Sequence, residues 1–583
     1  MKHSLYYLIA AFLPVMFAGC ESELDRFPKD RLTPDTFFKT GAECELYTSD
    51  FYTLFPDGSD IYGEGADIIS KTSLSQEVMG TRTVPATSST WTWTKLRDIN
   101  FFLEHSHNCT DEDQRLKYEG IARFFRAYFY FEKVKRYGDV PWVDKALDSS
   151  SDELYMGRAP RKEIIRHIFE DLDFAIKNIG ASKELYRVSK WTALALKSRV
   201  ALFEGTFRKY HGIDGWEDIL KICAEASSEF ISNSGYSISN SGSTPYLTLF
   251  SNLKADGTEF VLARAYNSDI GLRHDANGYV TSMSMGRPGL LKDIADMYLM
   301  TDGTPFTSRP GYETMSLPDQ SKNRDKRFAQ TFRTPGYKRI GESALSAPNL
   351  SVCETGYQPV KYLQAAKYDS YNASMVDLPI FRAAEVYLNF AEAKAELGTL
   401  TQADIDRAIK PLRDRAGVAN LSLSKANTSP DPYLSDPLTG YVNVKGDNKG
   451  VILEIRRERT VELIMEGFRY WDIMRWHEGQ RFERPFIGLY FPGEGEYDLN
   501  ADGKPDVCIW SGSKPATSAT NSYELEKEIF LTGKTSGNII LHTDYPRKWT
   551  DPRDYLYPVP TDDRILTQGA ITQNPGWTDG LSF

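Results

Sequence analysis

The sequence predicts a mainly α fold: a superhelix of tetratricopeptide-like helix pairs that carries a large loop-rich, ligand-binding face. Three observations predict it. Amphipathic segments of helical period occur in pairs joined by short turns. Some of these segments are rich in small residues, which let helices approach closely. Between the helical regions, residues 234–378 are rich in Gly, Ser, Pro and Asn with only short apolar runs, and extensive loops in a compact protein are usually binding elements. A strict tetratricopeptide period is absent, so the helix pairs and not a repeat carry this reading.

The first clear helix spans Ile121 to Tyr137, where Phe124, Tyr128, Phe131 and Val134 form one face and Phe125 and Phe129 widen it. Gly138 stops it and Pro141 prevents its resumption. Arg161 to Ile179 follows, with Ile164, Ile168, Leu172 and Ile176 in phase. Trp191 to Phe203 carries Ala193, Ala195 and Ala201, and Trp216 to Phe230 supplies its partner. After the loop-rich middle, Ala384, Leu388, Ala391 and Ala395 line another face closed by Gly398. Thr401 and Asp404 form a cap for a helix that Pro411 should bend. Val451 to Trp476 reads as one further helical stretch, and the last hundred residues as loops.

Composition narrows the function. The chain has 583 residues, 41% hydrophobic and 26% charged, enough for a packed core and too apolar for wholesale disorder. Its mean hydropathy of −0.44 excludes a polytopic membrane protein. A net charge of −11 repels phosphate backbones, so no nucleic-acid partner is expected. Aromatic content reaches 13%, and Tyr and Trp build surfaces that stack on sugar rings as well as cores.

The N-terminus reads as an address. Lys2 and His3 precede an apolar run from Leu5 to Phe17, too short to span a bilayer and ordered like a secretory signal. It ends in Phe17-Ala18-Gly19-Cys20, which resembles a bacterial lipobox, so residues 1–19 are expected to be removed and Cys20 acylated. The acidic stretch Glu21-Ser22-Glu23-Leu24-Asp25 reads as a solvated tether. Five further cysteines at wide spacing, without a C-x-x-C, make neither a disulfide framework nor a zinc ribbon.

Catalytic signatures are missing. No H-E-x-x-H or G-x-S-x-G occurs, and Gly533-Lys534-Thr535 lacks the first phosphate-loop glycine because Glu528 holds that position. One cation candidate stands out. Asp498, Asn500, Asp502, Lys504 and Asp506 occupy positions 1, 3, 5, 7 and 9 of an EF-hand-like loop, with Gly503 at position 6. Position 12 is Ile509 where a bidentate Glu belongs, so calcium needs a ligand from another segment. A polyhydroxylated ligand has its best candidates in SSTWTWTKLRDIN. There one indole, Trp91 or Trp93, can lie on a pyranose while Arg97 or Asn100 hydrogen-bonds its hydroxyls. Tyr279 and Arg287 are secondary candidates for their loop setting.

Several segments together resemble the SusD/RagB family of Bacteroidetes outer-membrane lipoproteins. They are LDRFPKDRLTPDTFFKT (24–40), ARFFRAYFYFEKVKRYGDVPWV (122–143), RVSKWTALALKSRVALFEG (187–205), LPIFRAAEVYLNFAEAKAELG (378–398), RRERTVELIMEGFRYWDIMRW (456–476), YLYPVP (555–560) and QNPGW (573–577), in that order. The resemblance implies an N-terminal helical region at 20–233, a variable loop-rich insert at 234–378 and a C-terminal region at 379–583. It also implies a surface lid on a TonB-dependent outer-membrane transporter, capturing glycans or sometimes peptides, with the Trp91–Trp93 region and the middle contributing to capture. Three functions compete: a non-catalytic glycan receptor, an outer-membrane glycoside hydrolase, and a scaffold that binds only protein. The charges of 456–476 are expected to hold helices together and not to touch ligand.

Overall fold

The computed structural model describes residues 37–583; Cys20, the leader and most of the first family-like segment lie outside the described residues. The principal helices are α1 (Gly41–Ser49), α2 (Thr94–His105), α3 (Glu112–Tyr137), α4 (Arg161–Asn178), α5 (Lys190–Tyr210), α6 (Trp216–Asn233), α7 (Ala383–Glu396), α8 (Gln402–Ala408), α9 (Lys410–Ala416), α10 (Lys449–Glu462), α11 (Arg469–Arg475) and α12 (Thr561–Leu566). Among the described residues no helix is long and apolar enough to cross a membrane.

The expected helix pairs are present. α3 packs on α4, α5 on α6, and α7 on both α6 and α10. α3 begins earlier than its apolar stripe, at a cap where the Asp111 carboxylate accepts from the Gln114 N–H at 3.1 Å. Glu112 and Asp113 in its first turn and Lys135 and Arg136 in its last suit the helix dipole. Close approach of α5 and α6 requires Gly205, where a Cβ would lie 2.6 Å from Leu220. A buried polar chain also ties these helices together. The Ser198 and Ser227 hydroxyls meet at 2.7 Å, Asn389 donates to Ser198 at 2.9 Å, and Arg459 donates to Asn389 at 2.8 Å.

Local signals held where they were chemical. The Thr401–Asp404 capping box opens α8, and the helix breaks at Ile409 so that Pro411 falls in the first turn of α9. The stretch from Val451 to Trp476 is two helices and not one: Met465 and Gly467 adopt positive φ (58° and 79°), and the chain turns between α10 and α11. That turn brings Arg459 and Arg475 onto one carboxylate, Asp472, at 2.8 and 2.9 Å. Arg469 pairs with the distant Asp67 at 2.7 Å, so Arg459 and Arg469 bind across the turn and across the fold, while Arg475 meets Asp472 at helical spacing.

The middle region packs into the main core. Its strands pair antiparallel with flanking segments: β3 (Gly289–Leu290) with β1 (Ile69–Ser70), and β2 (Phe260–Arg264) with β4 (Leu378–Arg382). Tyr298, Phe328, Phe332, Tyr357 and Tyr362 join the same core cluster that runs from Phe38 to Ile571. It also supplies Arg327 and Lys361 to a buried ionic centre. The Glu462 carboxylate accepts from Arg327 at 2.8 Å, from Arg382 at 2.7 Å and from Arg415. Glu259 binds Arg382 and Arg415 at 2.6 and 2.7 Å, while Glu466 binds Arg382 and Lys361 at 2.7 Å each. Each of these side chains is at most 2% exposed. As expected, the 456–476 charges hold separate segments of the fold together.

The last hundred residues, expected to be loops, contain two small sheets. β5 (Phe486–Phe491) pairs antiparallel with β9 (Gly537–Leu541). β7 (Val507–Trp510) lies between β6 (Gly495–Tyr497), antiparallel, and β8 (Asn521–Glu524), parallel.

Candidate functional site

A cavity of about 490 Å³ opens where the segment before α2, the loop after α3 and the terminal helix α12 meet. Trp91, Trp93 and Arg97 line it, joined by Tyr155, Leu566 and Asp563. Leu566 is 68% exposed and Tyr155 59%, so the mouth is open and apolar.

Residues 88–93 make no strand pairing, and α3 holds them in place. Lys133 donates to the carbonyls of Thr90 and Thr92 at 2.6 and 2.8 Å. The Tyr137 hydroxyl lies 2.6 Å from the Thr90 hydroxyl. The Lys133 ammonium also sits beneath the Trp93 ring, 5.3 Å from its centroid. Burial, reinforced by Arg136, pushes that ammonium down to about 7.

The two tryptophans have different roles. Trp91 is 3% exposed, edge-on to Tyr137 at 4.5 Å and to Trp93 at 5.4 Å. It is the back wall, a core residue, with the Asp563 carboxyl beside its buried indole N–H. Trp93 is half-buried and packs on Phe129 at 5.7 Å, so it is the indole able to offer a face. Both expected tryptophans thus line the cavity, Trp91 from the core and Trp93 from its more exposed side.

Arg97 is exposed, and its Nε donates to the Leu147 carbonyl at 2.9 Å, propping the rim. Asn100 is not a ligand residue. It is fully buried, donates to the Val143 and Lys145 carbonyls at 3.0 and 3.2 Å, and accepts from Arg126 at 3.3 Å. Its amide fixes the loop that forms the opposite rim. Tyr279 is also excluded: it is buried against Tyr62 at 5.4 Å, away from the cavity. Arg287 lines a separate cleft. Sequence reasoning missed Tyr155, Asp563 and Leu566, which come from irregular or terminal segments without periodicity to mark them.

The 498–506 loop is ordered by hydrogen bonds from its own backbone to its side-chain oxygens. Both Asp498 oxygens accept backbone N–H groups, from Asp502 at 3.2 Å and Gly503 at 2.7 Å. Asn500 accepts from Asp502, Asp502 from Lys504, and Asp506 from Leu499 and Asn500. Ile509, at the closing position, is buried in β7. Among the described residues no three His, Cys, Asp or Glu side chains are gathered to hold a metal. These side chains keep lone pairs beyond the amides they accept, so millimolar calcium is expected to raise the melting temperature and Asp498→Ala to abolish the rise; a melting curve unmoved by calcium and by chelator would mean a plain polar turn.

Stacked helix pairs thus carry an aromatic cavity built largely from loops and the terminal helix. Comparison with known proteins agrees on the fold. A family model described as the SusD family matches residues 258–577, and one described as starch-binding associating with outer membrane matches residues 39–202. The chain belongs to the SusD family. It is similar to a SusD-like protein of Formosa agariphila, 23% identical over 518 residues covering 83% of this chain and 93% of that one. A SusD-like protein of Bacteroides ovatus is 23% identical over 515 residues, 82% of this chain and 83% of that one. Two solved structures from Bacteroides fragilis share the fold. A SusD-like protein has a TM-score of 0.68 at 23% identity, covering 95% of this chain and all of that one. A SusD-like carbohydrate binding protein has a TM-score of 0.68 at 20% identity, covering 91% and 99%.

Proposed function

We propose that this protein is a non-catalytic cell-surface lipoprotein that binds glycans and delivers them to a partner TonB-dependent outer-membrane transporter. Family membership supports the reading, as do the starch-binding and outer-membrane words that describe the N-terminal match and the carbohydrate binding ascribed to one structural neighbour. The observation that carries it is the Trp93–Tyr155 cavity. An indole face held rigid by Lys133 and Phe129 can stack on the apolar face of a pyranose without ordering itself first.

Binding over hydrolysis is supported by Glu153, whose carboxylate is paired with Lys145 at the cavity rim. A glycosidase needs one carboxyl as acid and a second free as base or nucleophile. Acylation of Cys20 would anchor the chain, since each buried methylene contributes about 0.8 kcal/mol and two or more chains hold stably.

The test is a glycan array probed with the soluble chain from residue 21 onward, alongside a reducing-sugar assay. Retention of a defined glycan class without release of reducing ends is expected. Retention of nothing favours a scaffold or peptide-binding lid, and released ends favour a hydrolase. Mild detergent extraction should co-purify a TonB-dependent transporter, and Cys20→Ala should shift the protein out of the membrane fraction.

A further inference from the structure

A second cleft, sharing no lining residue with the Trp93 cavity, lies between the β5–β9 ribbon and the loops carrying Arg287 and Glu354. Its volume is about 310 Å³. Two large rings border it in the open: Phe530 is 46% exposed and Tyr545 54%. Single exposed rings are ordinary on a protein surface, whereas two bordering one cleft beside half-buried charges are the composition of a sugar site.

The polar groups are incompletely used. Arg287 donates through Nη2 to the Leu350 carbonyl at 2.8 Å, while its buried Nε has no acceptor. Among the described residues the Glu354 carboxylate meets only Arg287, at 3.6 Å, beyond hydrogen-bond reach. Burial lifts that carboxyl above its ordinary range and Arg287 only partly offsets it. Arg287 and His542, on opposite sides of the cleft, both hold positive φ (47° and 56°), a conformation that non-glycine residues keep only where surrounding structure enforces it. The β5–β9 pairing and the Ser70 hydroxyl, 3.1 Å from the His542 ring, supply that enforcement on one side.

Charge selects among glycans. The lining carries three carboxylates, Glu354, Glu528 and Asp544, against one guanidinium, Arg287. Burial lowers the His542 imidazole, so it adds no positive charge at neutral pH. Such a rim repels uronates and sulfates, while its carboxylates accept hydrogen bonds from sugar hydroxyls.

We propose that this cleft is a second carbohydrate subsite, selective for neutral over polyanionic glycans, with Tyr545 and Phe530 stacking on the sugar and Arg287 and Glu354 binding its hydroxyls. The proposal rests on the glycan-binding reading and goes beyond it in site and ligand class.

The test is calorimetric titration of the soluble chain with maltohexaose, laminarihexaose, xylohexaose and mannohexaose as neutral probes and hexagalacturonate as the anionic one. The titration is repeated on Phe530→Ala/Tyr545→Ala and on Trp93→Ala, each checked for an unchanged melting curve. At least one neutral probe should lose on the order of tenfold in affinity in the double variant, and hexagalacturonate should bind more weakly than that probe. If the double variant matches wild type for every probe while Trp93→Ala does not, the cleft is no subsite and the glycan-binding function stands. Tighter binding of hexagalacturonate overturns the charge argument. Failure of wild type to bind any probe overturns both this inference and the function beneath it.

Discussion

Replacing Glu462 by Ala is expected to destabilise the fold by about 3–5 kcal/mol, because removing one member of a buried ionic cluster leaves the others uncompensated. Three arginines converge on this carboxylate, and all lie where water does not reach. Arg327 comes from the middle region, Arg382 from β4, Arg415 from α9 and Glu462 from α10. One deletion therefore loosens four segments at once. Glu462→Gln keeps the shape and part of the hydrogen bonding, so it should cost less than Ala while still losing the charge. The urea midpoint measures both; a midpoint unmoved by Glu462→Ala would mean that the cluster relaxes or hydrates freely.

Acid should act on the same kind of interaction. Burial opposes ionisation of Glu392, but Arg475, Arg459 and the Trp476 N–H together outweigh it and hold the carboxyl down at about 2. Glu132 is likewise held at about 2, Lys135 and Arg136 outweighing burial. A depressed native pKa stabilises at pH above the unfolded value, near 4.5 for Glu. That stabilisation is lost as pH falls from there towards 2. Acid unfolding should therefore steepen in this window.

Much of the scaffold was legible because helices announce themselves locally. The apolar stripe of α3, the Thr401–Asp404 box and Pro411 act on their own neighbours, and they did what their chemistry predicts. The break between α10 and α11 was hidden, because Met465 and Gly467 interrupt a run whose hydrophobic period continues across them. Short strands such as VCIW and GNIIL were read as loops because each is stabilised by a partner distant in sequence or by its sheet and not by its own pattern.

The site was legible only in part. A tryptophan pair before a helix signalled an aromatic wall, and the structure has one. Which indole faces outward depends on Tyr137 and Phe129, residues of another helix, so the sequence could not choose between the two. Asn100 illustrates the same limit: an amide that binds sugar and an amide that satisfies buried carbonyls look identical along the chain. The 498–506 spacing matched a calcium loop, but the same Asp and Asn oxygens serve equally well as acceptors for the turn's own amides.

The central claim is that a glycan stacks on Trp93 in the cavity between α2, the loop after α3 and α12. Trp93→Ala removes a half-exposed ring whose loss leaves the core largely intact, whereas Trp91→Ala removes a buried one and should cost about 3–5 kcal/mol of stability. The two substitutions therefore separate binding from folding. The most direct measurement is calorimetric titration of wild type and Trp93→Ala with the glycan that the array retains most strongly, with melting curves recorded on both. The account predicts that Trp93→Ala loses on the order of tenfold or more in affinity while its melting temperature stays close to wild type. Equal affinity in the two proteins would contradict it.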